Sequence, residues 1–286
     1  MKKNKVKTKE LGLIAGLIFG KYFFETEDLH FGFWTDDIEV NKNNFAKAQE
    51  NYSNFIISHI PENAKTILDV GCGAGGLASK LLNMRFSVDC VSPDPLLTER
   101  ALEILGDRST IFRCLFEEME SDKLYDTLIF SESFQYIKLS AALLQSLKFL
   151  KQGGHLLICD FFKTEAHGDG QKGDRSFGGG HRMTKFYAEI QDTPFVIQRD
   201  DDITSLVSPN IQLVNDLLMN KIYPASVTLD SYVKDNYSVI YFFKKLAFRI
   251  FRKKLKKIKY KYFSGYRSKK VFERYKTYRL IVLQYR

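Results

Sequence analysis

Short apolar runs alternate with amphipathic stretches of helical length between residues 64 and 162. The apolar runs predict strands at residues 66–70, 87–91, 111–115, 126–130 and 155–161. Helical spacing of apolar side chains predicts helices at residues 77–84, 96–105 and 141–150. Strands that alternate with helices form βαβ units around a parallel sheet, and right-handed crossovers place the helices on its faces. The pattern therefore predicts a doubly wound α/β core.

The segments on either side of this core have different patterns. Helical spacing from Phe45 to Ile56 predicts a helix before the first strand, and the glycines at 153–154 predict a turn before the fifth. Residues 165–181 are polar, 186–202 fit a helix and a strand, 210–220 fit a helix, and 275–284 alternate like a final strand. The predicted segments are an N-terminal lid with helices (1–60), the core (61–162), a helical insertion (163–276) and the final strand (277–286). The predicted fold class is α/β, with a mostly parallel, Rossmann-like sheet.

Charge is distributed unevenly along the 286 residues. The stretch from residue 244 to residue 286 has 17 Lys or Arg and one acid, a net charge of +16, whereas the remainder has a net charge of −7. This asymmetry favours a local anionic partner. The four cysteines have no paired spacing typical of zinc sites or disulfide frameworks, which indicates a reducing compartment.

The N-terminal apolar run is too short to span a membrane. Residues 11–24 make up only 14 positions, including Lys21, whereas a spanning helix needs about 20. No small-residue cleavage site follows the run, so we expect no cleaved signal peptide. A cytoplasmic protein is therefore expected, with peripheral contact at the inner membrane surface as a further hypothesis from the basic end.

The strongest chemical signal is the sequence Asp69-Val70-Gly71-Cys72-Gly73-Ala74-Gly75-Gly76, where the first strand meets a helix. Glycines let a backbone approach a ligand closely because they have no Cβ. An acid on the strand would repel a pyrophosphate at the helix N-terminus, but it accepts hydrogen bonds from an ammonium group. The motif therefore favours a zwitterionic ligand over a dinucleotide.

This glycine-rich sequence resembles the first motif of class I S-adenosylmethionine (SAM)-dependent methyltransferases. The resemblance implies SAM as cofactor, S-adenosylhomocysteine as product, and Asp69, Gly71, Cys72 and Gly73 as cofactor-binding residues. The chain also resembles the cyclopropane-synthase-like and tocopherol-type small-molecule methyltransferases. Ser92-Pro93-Asp94 is similar to their T-L-S-P sequence, which leaves Ser92 and Asp94 as alternative ribose ligands. Phe116-Glu117 is similar to their W-E-E sequence and implies adenine contacts.

Two further stretches are similar to sequences of this group. Ser131 to Tyr136 follows the fourth strand, where the group's S-x-x-F-E-H sequence serves a bicarbonate site; Gln135 and Tyr136 replace its Glu and His, which favours methyl transfer over cyclopropanation. Ser131 is expected to line the cofactor site. Tyr22, Trp34 and Gln49 match the group's lid and following helix, and the resemblance implies that they cover the methionine end of SAM.

A methyl acceptor with a dissociable proton needs a general base. The sequence offers His181, His30, Glu132 and Tyr136 as candidates, and His181 is flanked by three glycines. A surface or packing role for these side chains is the alternative. Histidines and acids lack metal-ligand spacing, so we expect methyl transfer by direct displacement without a metal ion.

The basic C-terminal stretch allows three interpretations. Apolar residues recur at helical spacing among the cations of residues 243–262, which is typical of helices on anionic membranes. Packing of the apolar side chains on the body of the protein is one alternative, and nucleic-acid binding, ranked last, is the other. Aromatic residues of the insertion, from Phe177 through Phe186, Tyr187 and Phe195 to Phe243, fit either an apolar acceptor pocket or the core of the insertion itself.

Together these features predict a SAM-dependent methyltransferase that acts on a small or lipid-like apolar acceptor at an O, N or C atom. An RNA methyltransferase is the first alternative. A non-catalytic protein that binds SAM or a membrane surface is the second.

Overall fold

The computed structural model describes Tyr22 and residues 29–286. Its elements fall into two compact units, and the first contains the described residues up to Lys163 together with Gly179–Val207 and Thr277–Arg286. The second contains Thr164–Gly178 and Ser208–Lys276. The predicted insertion 163–276 thus differs from the second unit, because residues 179–207 belong with the sheet.

The first unit contains a seven-stranded sheet. Its strands are β1 (Thr66–Val70), β2 (Ser87–Val91), β3 (Ile111–Phe112), β4 (Tyr125–Ser131), β5 (Leu150–Lys163), β6 (Phe195–Asp202) and β7 (Lys276–Tyr285). The strand order is β3-β2-β1-β4-β5-β7-β6. Pairing is parallel from β3 through β5 and antiparallel between β6 and β7. The predicted mostly parallel, doubly wound sheet is confirmed.

Helices of the first unit follow the strands as the apolar pattern predicts. They are α1 (Phe45–Ile57), α2 (Gly76–Asn83), α3 (Pro95–Leu105), α4 (Leu139–Phe149), α5 (Met183–Gln191) and α6 (Thr204–Val207). Helix α3 begins where the Oδ1 atom of Asp94 accepts hydrogen bonds from the backbone N–H groups of Leu96 and Leu97, at 3.1 and 3.0 Å, with Pro95 in the first turn.

The core of the first unit is built on the central strands. Leu68, Leu128, Phe130, Leu156 and Ile158 are all fully buried, as expected for parallel strands covered on both faces. Phe149 of α4 and Phe186 of α5 pack in the same cluster. Phe186 and Phe195, which the sequence offered as acceptor-pocket residues, therefore belong to this core.

Two local predictions in the first unit were wrong. The turn expected at residues 151–154 lies inside β5, where Gly153 has a φ of +80° and the register with β4 shifts. The bulge lets the strand continue through the two glycines. Strand β3 is only two residues long, because the chain leaves the sheet edge after Phe112.

The second unit is mainly helical. Its helices are α7 (Pro209–Leu217), α8 (Tyr223–Asn236), α9 (Ser238–Ile250), α10 (Arg252–Tyr262) and α11 (Lys269–Tyr275), and a π-helical segment at Leu218–Ile222 joins α7 to α8. The loop 164–178 is fastened within this unit because Asp169 accepts from Arg274 Nη2 at 2.8 Å and from the Tyr275 hydroxyl at 3.0 Å.

The basic amphipathic segment forms two helices instead of one, since the backbone at Phe251 leaves the helical range and ends α9. No side chain of α8, α9 or α10 is buried. Among the described residues, the structure contains no helix long and apolar enough to cross a membrane.

Candidate functional site

A cavity of about 370 Å³ opens at the carboxyl ends of β1, β2 and β4. Strand order reverses between β1 and β4, and ligands of open α/β sheets bind at such a switch point. Twelve residues singled out in the sequence line this cavity: His30, Asp69, Gly71, Cys72, Gly73, Ser92, Asp94, Phe116, Glu117, Ser131, Glu132 and Tyr136. The sheet thus brings together residues from four separate loops.

The loop after β1 follows the cavity wall closely. Gly71 has a φ of +79°, and a Cβ at this residue would lie 2.5 Å from the Cβ of Ser133, so only glycine fits. Gly73 also has a positive φ, +57°, but nothing lies within 4 Å of the position its Cβ would take. The backbone therefore leaves open space beside Gly73 that a ligand can approach.

Asp69 is the most unusual side chain at the cavity. It is 2% exposed, and none of the described residues forms a hydrogen bond with its Oδ2 atom. Burial disfavours the charged form and raises the pKa of Asp69 to about 7. A buried carboxylate oxygen without a donor is costly, and a cationic group bound in the cavity would remove that cost.

Ser92 and Asp94 follow β2 at the opposite wall. Ser92 is buried, and its backbone N–H donates to the Phe112 carbonyl oxygen at 3.0 Å. Asp94 uses Oδ1 to cap α3. Both residues line the cavity, so both remain available to a ligand.

Phe116 closes the third side of the cavity. It is only 3% exposed, and its ring packs edge-on against Phe130 with centroids 5.4 Å apart. The residue therefore belongs to the core as well as to the cavity wall. Glu117 lines the cavity beside it.

Glu132 has the most specific environment of the four candidate bases. It adopts a φ of +56°, a left-handed conformation that is uncommon outside glycine. Its Oε1 atom accepts from the backbone N–H of Phe31 at 2.7 Å and from the Tyr278 hydroxyl at 2.8 Å. No described residue bonds to its Oε2 atom. Burial, together with the charge of Asp160, raises the pKa of Glu132 to about 8.

Tyr136 and His30 line the cavity near Glu132. Burial and the charges of Glu132 and Asp160 raise the pKa of Tyr136 to about 12. The Nδ1–H group of His30 donates to the Phe31 carbonyl oxygen at 2.9 Å, and its ring stacks on Tyr52 with centroids 4.6 Å apart. The histidine is thus fixed at the edge of the cavity.

Three residues expected at the cofactor do not line the cavity. Trp34 is 3% exposed, and its backbone N–H donates to the Leu206 carbonyl oxygen at 2.8 Å. Gln49 is buried and donates from Nε2 to the His30 carbonyl oxygen at 2.5 Å, so its contact with the cavity is indirect. Tyr22 is 80% exposed. The lid residues Phe23 and Phe24 lie outside the described residues.

His181 is also absent from the cavity wall. Because a carbonyl oxygen can only accept, its Nε2 carries the proton and donates to the Phe134 carbonyl oxygen at 3.2 Å. Burial lowers the pKa of His181, and its ring packs edge-on against Phe134. The glycines before it serve packing: a Cβ at Gly180 would lie 2.8 Å from the Phe161 carbonyl oxygen. His181 therefore does not line this cavity, and its Nε2–H group is directed to a backbone carbonyl oxygen.

Three further residues shape the site, and their individual contacts could not be predicted from the sequence. Ser133 donates from Oγ to the Val70 carbonyl oxygen and packs on Gly71. Phe31 and Tyr278 hold Glu132 from positions 101 and 146 residues away in the chain. Among the residues that the structure describes, His, Cys, Asp and Glu form no group of three or more suited to a metal ion.

The open α/β sheet, the glycine loop after β1 and the cavity at the switch point define a class of α/β proteins that bind ligands at this edge of the sheet. A family model described as a methyltransferase domain matches residues 41–187, about half of the chain. The chain belongs to this methyltransferase family, which uses SAM as methyl donor. The predicted family, enzyme class and cofactor are confirmed at this level.

Curated relatives with known names are O-methyltransferases. The chain is 29% identical over 152 residues to the malonyl-[acyl-carrier protein] O-methyltransferase of Anoxybacillus flavithermus; the match covers 51% of this chain and 54% of that protein. It is 30% identical over 103 residues to the ubiquinone biosynthesis O-methyltransferase of Rickettsia conorii, covering 35% of this chain and 36% of that protein. The chain thus matches about half the length of these relatives or less.

The fold as a whole is similar to that of a solved small-molecule methyltransferase. Geranyl diphosphate C-methyltransferase from Streptomyces coelicolor, solved with Mg²⁺, geranyl diphosphate and S-adenosylhomocysteine, superposes with a TM-score of 0.63 at 14% identity. The match covers 99% of this chain and all of that one. At this identity the likeness establishes the fold.

Proposed function

We propose that this chain transfers a methyl group from SAM to a small or lipid-like apolar acceptor. The observation that carries the proposal is that two carboxyl groups, those of Asp69 and Glu132, line the same cavity. Asp69 has a buried oxygen without a donor, and Glu132 has an oxygen that no described residue bonds. The first suits a cationic ligand group, and the second suits an acceptor that must lose a proton.

The residues of the cavity fit the cofactor. Asp69 would hold the ammonium group of SAM, and the backbone of Gly71 and Gly73 would pass beside its methionine end. Ser92 or Asp94 would hold the ribose, and Phe116 with Glu117 would hold the adenine. Bound SAM supplies an electrophilic methyl group on a sulfonium.

Glu132 is the proposed base. Oε2 of Glu132 would accept the proton that the acceptor loses on methylation and would later release it to water. A pKa of about 8 suits this task, because a base works best when its pKa lies near the operating pH. Positioning of the acceptor supplies much of the remaining rate.

The relatives favour a small or carrier-bound acceptor. Their names specify malonyl-carrier, ubiquinone-precursor and geranyl diphosphate chemistry, and all three acceptors are small or tethered molecules. An acceptor with an ionisable O–H, N–H or activated C–H group fits the proposed base. RNA methylation is the alternative acceptor class, and a non-catalytic SAM-binding protein is the alternative outside enzymes.

The proposal is tested with methyl-labelled SAM and a fractionated cell extract. Wild type should label the lipid or small-molecule fraction, E132Q should bind SAM normally but label at least about tenfold less, and D69N should bind SAM about thirtyfold more weakly or worse. Label in RNA would show that the acceptor is RNA and not a small or lipid-like molecule. Normal SAM binding without label in any fraction, including pooled lipids and metabolites, would contradict methyl transfer.

We also propose that the basic helices contact an anionic membrane surface. In α9, Val239, Phe242, Phe243, Leu246 and Ile250 recur on one face, and each is between 46% and 71% exposed. Residues 238–262 have ten Lys or Arg and no acid, although Lys244 pairs with Asp230 of α8. Each cation near an anionic leaflet contributes about 1 kcal/mol to membrane binding. The apolar face of α9 would add to this by inserting into the membrane surface. Such contact would bring the enzyme to lipid-like acceptors at the cytoplasmic side of a membrane.

Vesicle sedimentation separates the electrostatic and apolar parts of this contact. Wild type should sediment with phosphatidylserine-containing vesicles and much less with phosphatidylcholine alone. Replacing Lys253, Lys254, Lys256 and Lys257 by Gln, or Phe242 and Phe243 by Ser, should release it. The matched control replaces four exposed lysines of the first unit, Lys42, Lys47, Lys138 and Lys148, and should still sediment. Absence of wild-type binding would exclude the contact.

A further inference from the structure

A buried chain of hydroxyl groups runs from Glu132 into the interior of the first unit. The Tyr278 hydroxyl donates to Glu132 Oε1 at 2.8 Å, and the oxygens of Tyr278 and Tyr52 are 2.8 Å apart. The Tyr52 hydroxyl also lies 3.3 Å from the Cys159 carbonyl oxygen. Both tyrosines are fully buried. The chain connects the loop after β4 with β7, α1 and β5.

The number of protons fixes the direction of these hydrogen bonds. Each tyrosine hydroxyl has one proton to donate. Because Tyr278 donates to the carboxylate of Glu132, Tyr52 is the donor in the bond between the two tyrosines. Burial raises the pKa of both phenols well above the ordinary value, so both keep their protons at neutral pH.

The groups around Glu132 have opposing effects on its pKa. Burial and the charge of Asp160 on β5 raise the pKa of Glu132, whereas the N–H of Phe31 and the hydroxyl of Tyr278 lower it. Asp160 is held by three donors: Gln135 N at 2.9 Å, Gln135 Nε2 at 3.1 Å and Phe161 N at 2.8 Å. Tyr136, Cys159 and His30 are further titratable groups near it among the described residues. Tyr278 is therefore the only phenol among the described residues that bonds Glu132 directly.

We infer that Tyr278 and Tyr52 are positioning residues for Glu132. Two donors hold Oε1, one from the Tyr278 hydroxyl and one from the Phe31 backbone, and this leaves Oε2 as the oxygen that meets the acceptor proton. Tyr52 donates to the Tyr278 oxygen, and His30 stacks on the Tyr52 ring. The position of residues 30 and 31 and the orientation of the Glu132 carboxyl group therefore depend on the same set of contacts. This inference rests on the proposed role of Glu132 as base.

The test measures the titration of Glu132 in the free protein, without SAM or acceptor. Glutamate carbons labelled with ¹³C at the carboxyl position are followed by NMR over pH, and E132Q assigns the signal. Y278F removes the direct donor and should raise the Glu132 pKa by about one pH unit. Y52F should raise it less, because Tyr278 then loses only the donor that polarises it.

Tyr187 provides the matched control. Its hydroxyl donates to Asp200 at 2.5 Å in the same unit, and it does not line the cavity, so Y187F should leave the Glu132 pKa unchanged. Thermal unfolding of each variant checks that the Phe replacements fold; after Y278F, the Tyr52 hydroxyl still has the Cys159 carbonyl oxygen as acceptor. An unchanged Glu132 titration in folded Y278F would overturn the inference.

Failure of this inference and failure of the proposed function give different results. A shift in Y278F with no methyl transfer by wild type would support the hydroxyl chain and remove the proposed reaction. Loss of methyl transfer in E132Q together with an unchanged Glu132 titration in Y278F would support Glu132 as the base. It would contradict the positioning role of Tyr278 and Tyr52. With an acceptor in hand, the acidic limb of the pH–rate profile should move upward in Y278F by the same amount as the titration.

Discussion

Gly71 and Ser133 meet where the loops after β1 and β4 come together. A Cβ on Gly71 would lie 2.5 Å from the Ser133 Cβ, and the Ser133 hydroxyl donates to the carbonyl oxygen of Val70. The loop that follows Asp69 and β1 and the loop that carries Glu132 are therefore fixed to each other at the cavity. One methyl group added at Gly71 would therefore be enough to disturb the cavity.

G71A should disrupt this contact. The new methyl group overlaps Ser133, and the φ of +79° adds strain, so we expect a loss of roughly 2–4 kcal/mol in unfolding free energy and loss of SAM binding. Chemical denaturation and calorimetry measure the two effects. G178A is the control, because nothing lies within 4 Å of its Cβ position and it should bind SAM as wild type does.

SAM affinity should depend on pH through Asp69. Below pH 7 the free carboxyl group holds a proton that binding of an ammonium must release, so affinity should fall by up to about tenfold per pH unit. Above about pH 8 the ligand's own α-ammonium deprotonates and affinity should fall again. D69N should lose the acidic limb and bind about thirtyfold more weakly or worse. A flat calorimetric profile in wild type would contradict this assignment.

The same carboxyl group should lower the stability of the free protein as pH rises. Its folded pKa, about 7, lies above the unfolded value of about 3.9, so the folded state keeps a proton that the unfolded chain releases. Wild type should therefore lose about 1.4 kcal/mol per pH unit relative to D69N between roughly pH 4 and pH 7, and the difference should level off above that. Urea unfolding of both proteins, without SAM, measures it.

H181A should affect stability more than ligand binding. The variant removes the donor to the Phe134 carbonyl oxygen and the ring that packs on Phe134, at a cost of roughly 1–2 kcal/mol. SAM affinity should stay within about twofold of wild type, because His181 does not line the cavity. A selective loss of turnover with unchanged stability would restore His181 as a base.

Much of the first unit was predictable because its signals are local. Each buried parallel strand is a short apolar run, and each helix shows its own period, so strands β1, β2 and β4 were found within a residue or so of their bounds. The glycine at 153 was misleading for the same reason: a glycine pair marks a turn in isolation, but pairing with β4 extends the strand through it.

The candidate site was predictable where a motif carries its chemistry in consecutive residues. Asp69, Gly71 and Gly73 line the cavity as expected, and so do Ser92 and Asp94 after the next strand. Trp34 and Gln49 were placed correctly in the segments that approach the site, but their side chains turn into the core. Which side of a residue faces a cavity depends on packing partners that its own sequence does not specify.

The sequence by itself determined the doubly wound core, the glycine loop and the acid on the strand before it, because period, apolar runs and a contiguous motif are properties of neighbouring residues. Only the tertiary structure decided which candidate bases line the cavity, because His30, Glu132 and Tyr136 do and His181 does not. Glu132 is bonded by Phe31 and Tyr278, which lie 101 and 146 residues away, and His181 is directed to a backbone carbonyl instead. Such contacts form only when the strand order brings β4, β7 and the N-terminal segment together. Local sequence patterns do not specify that order.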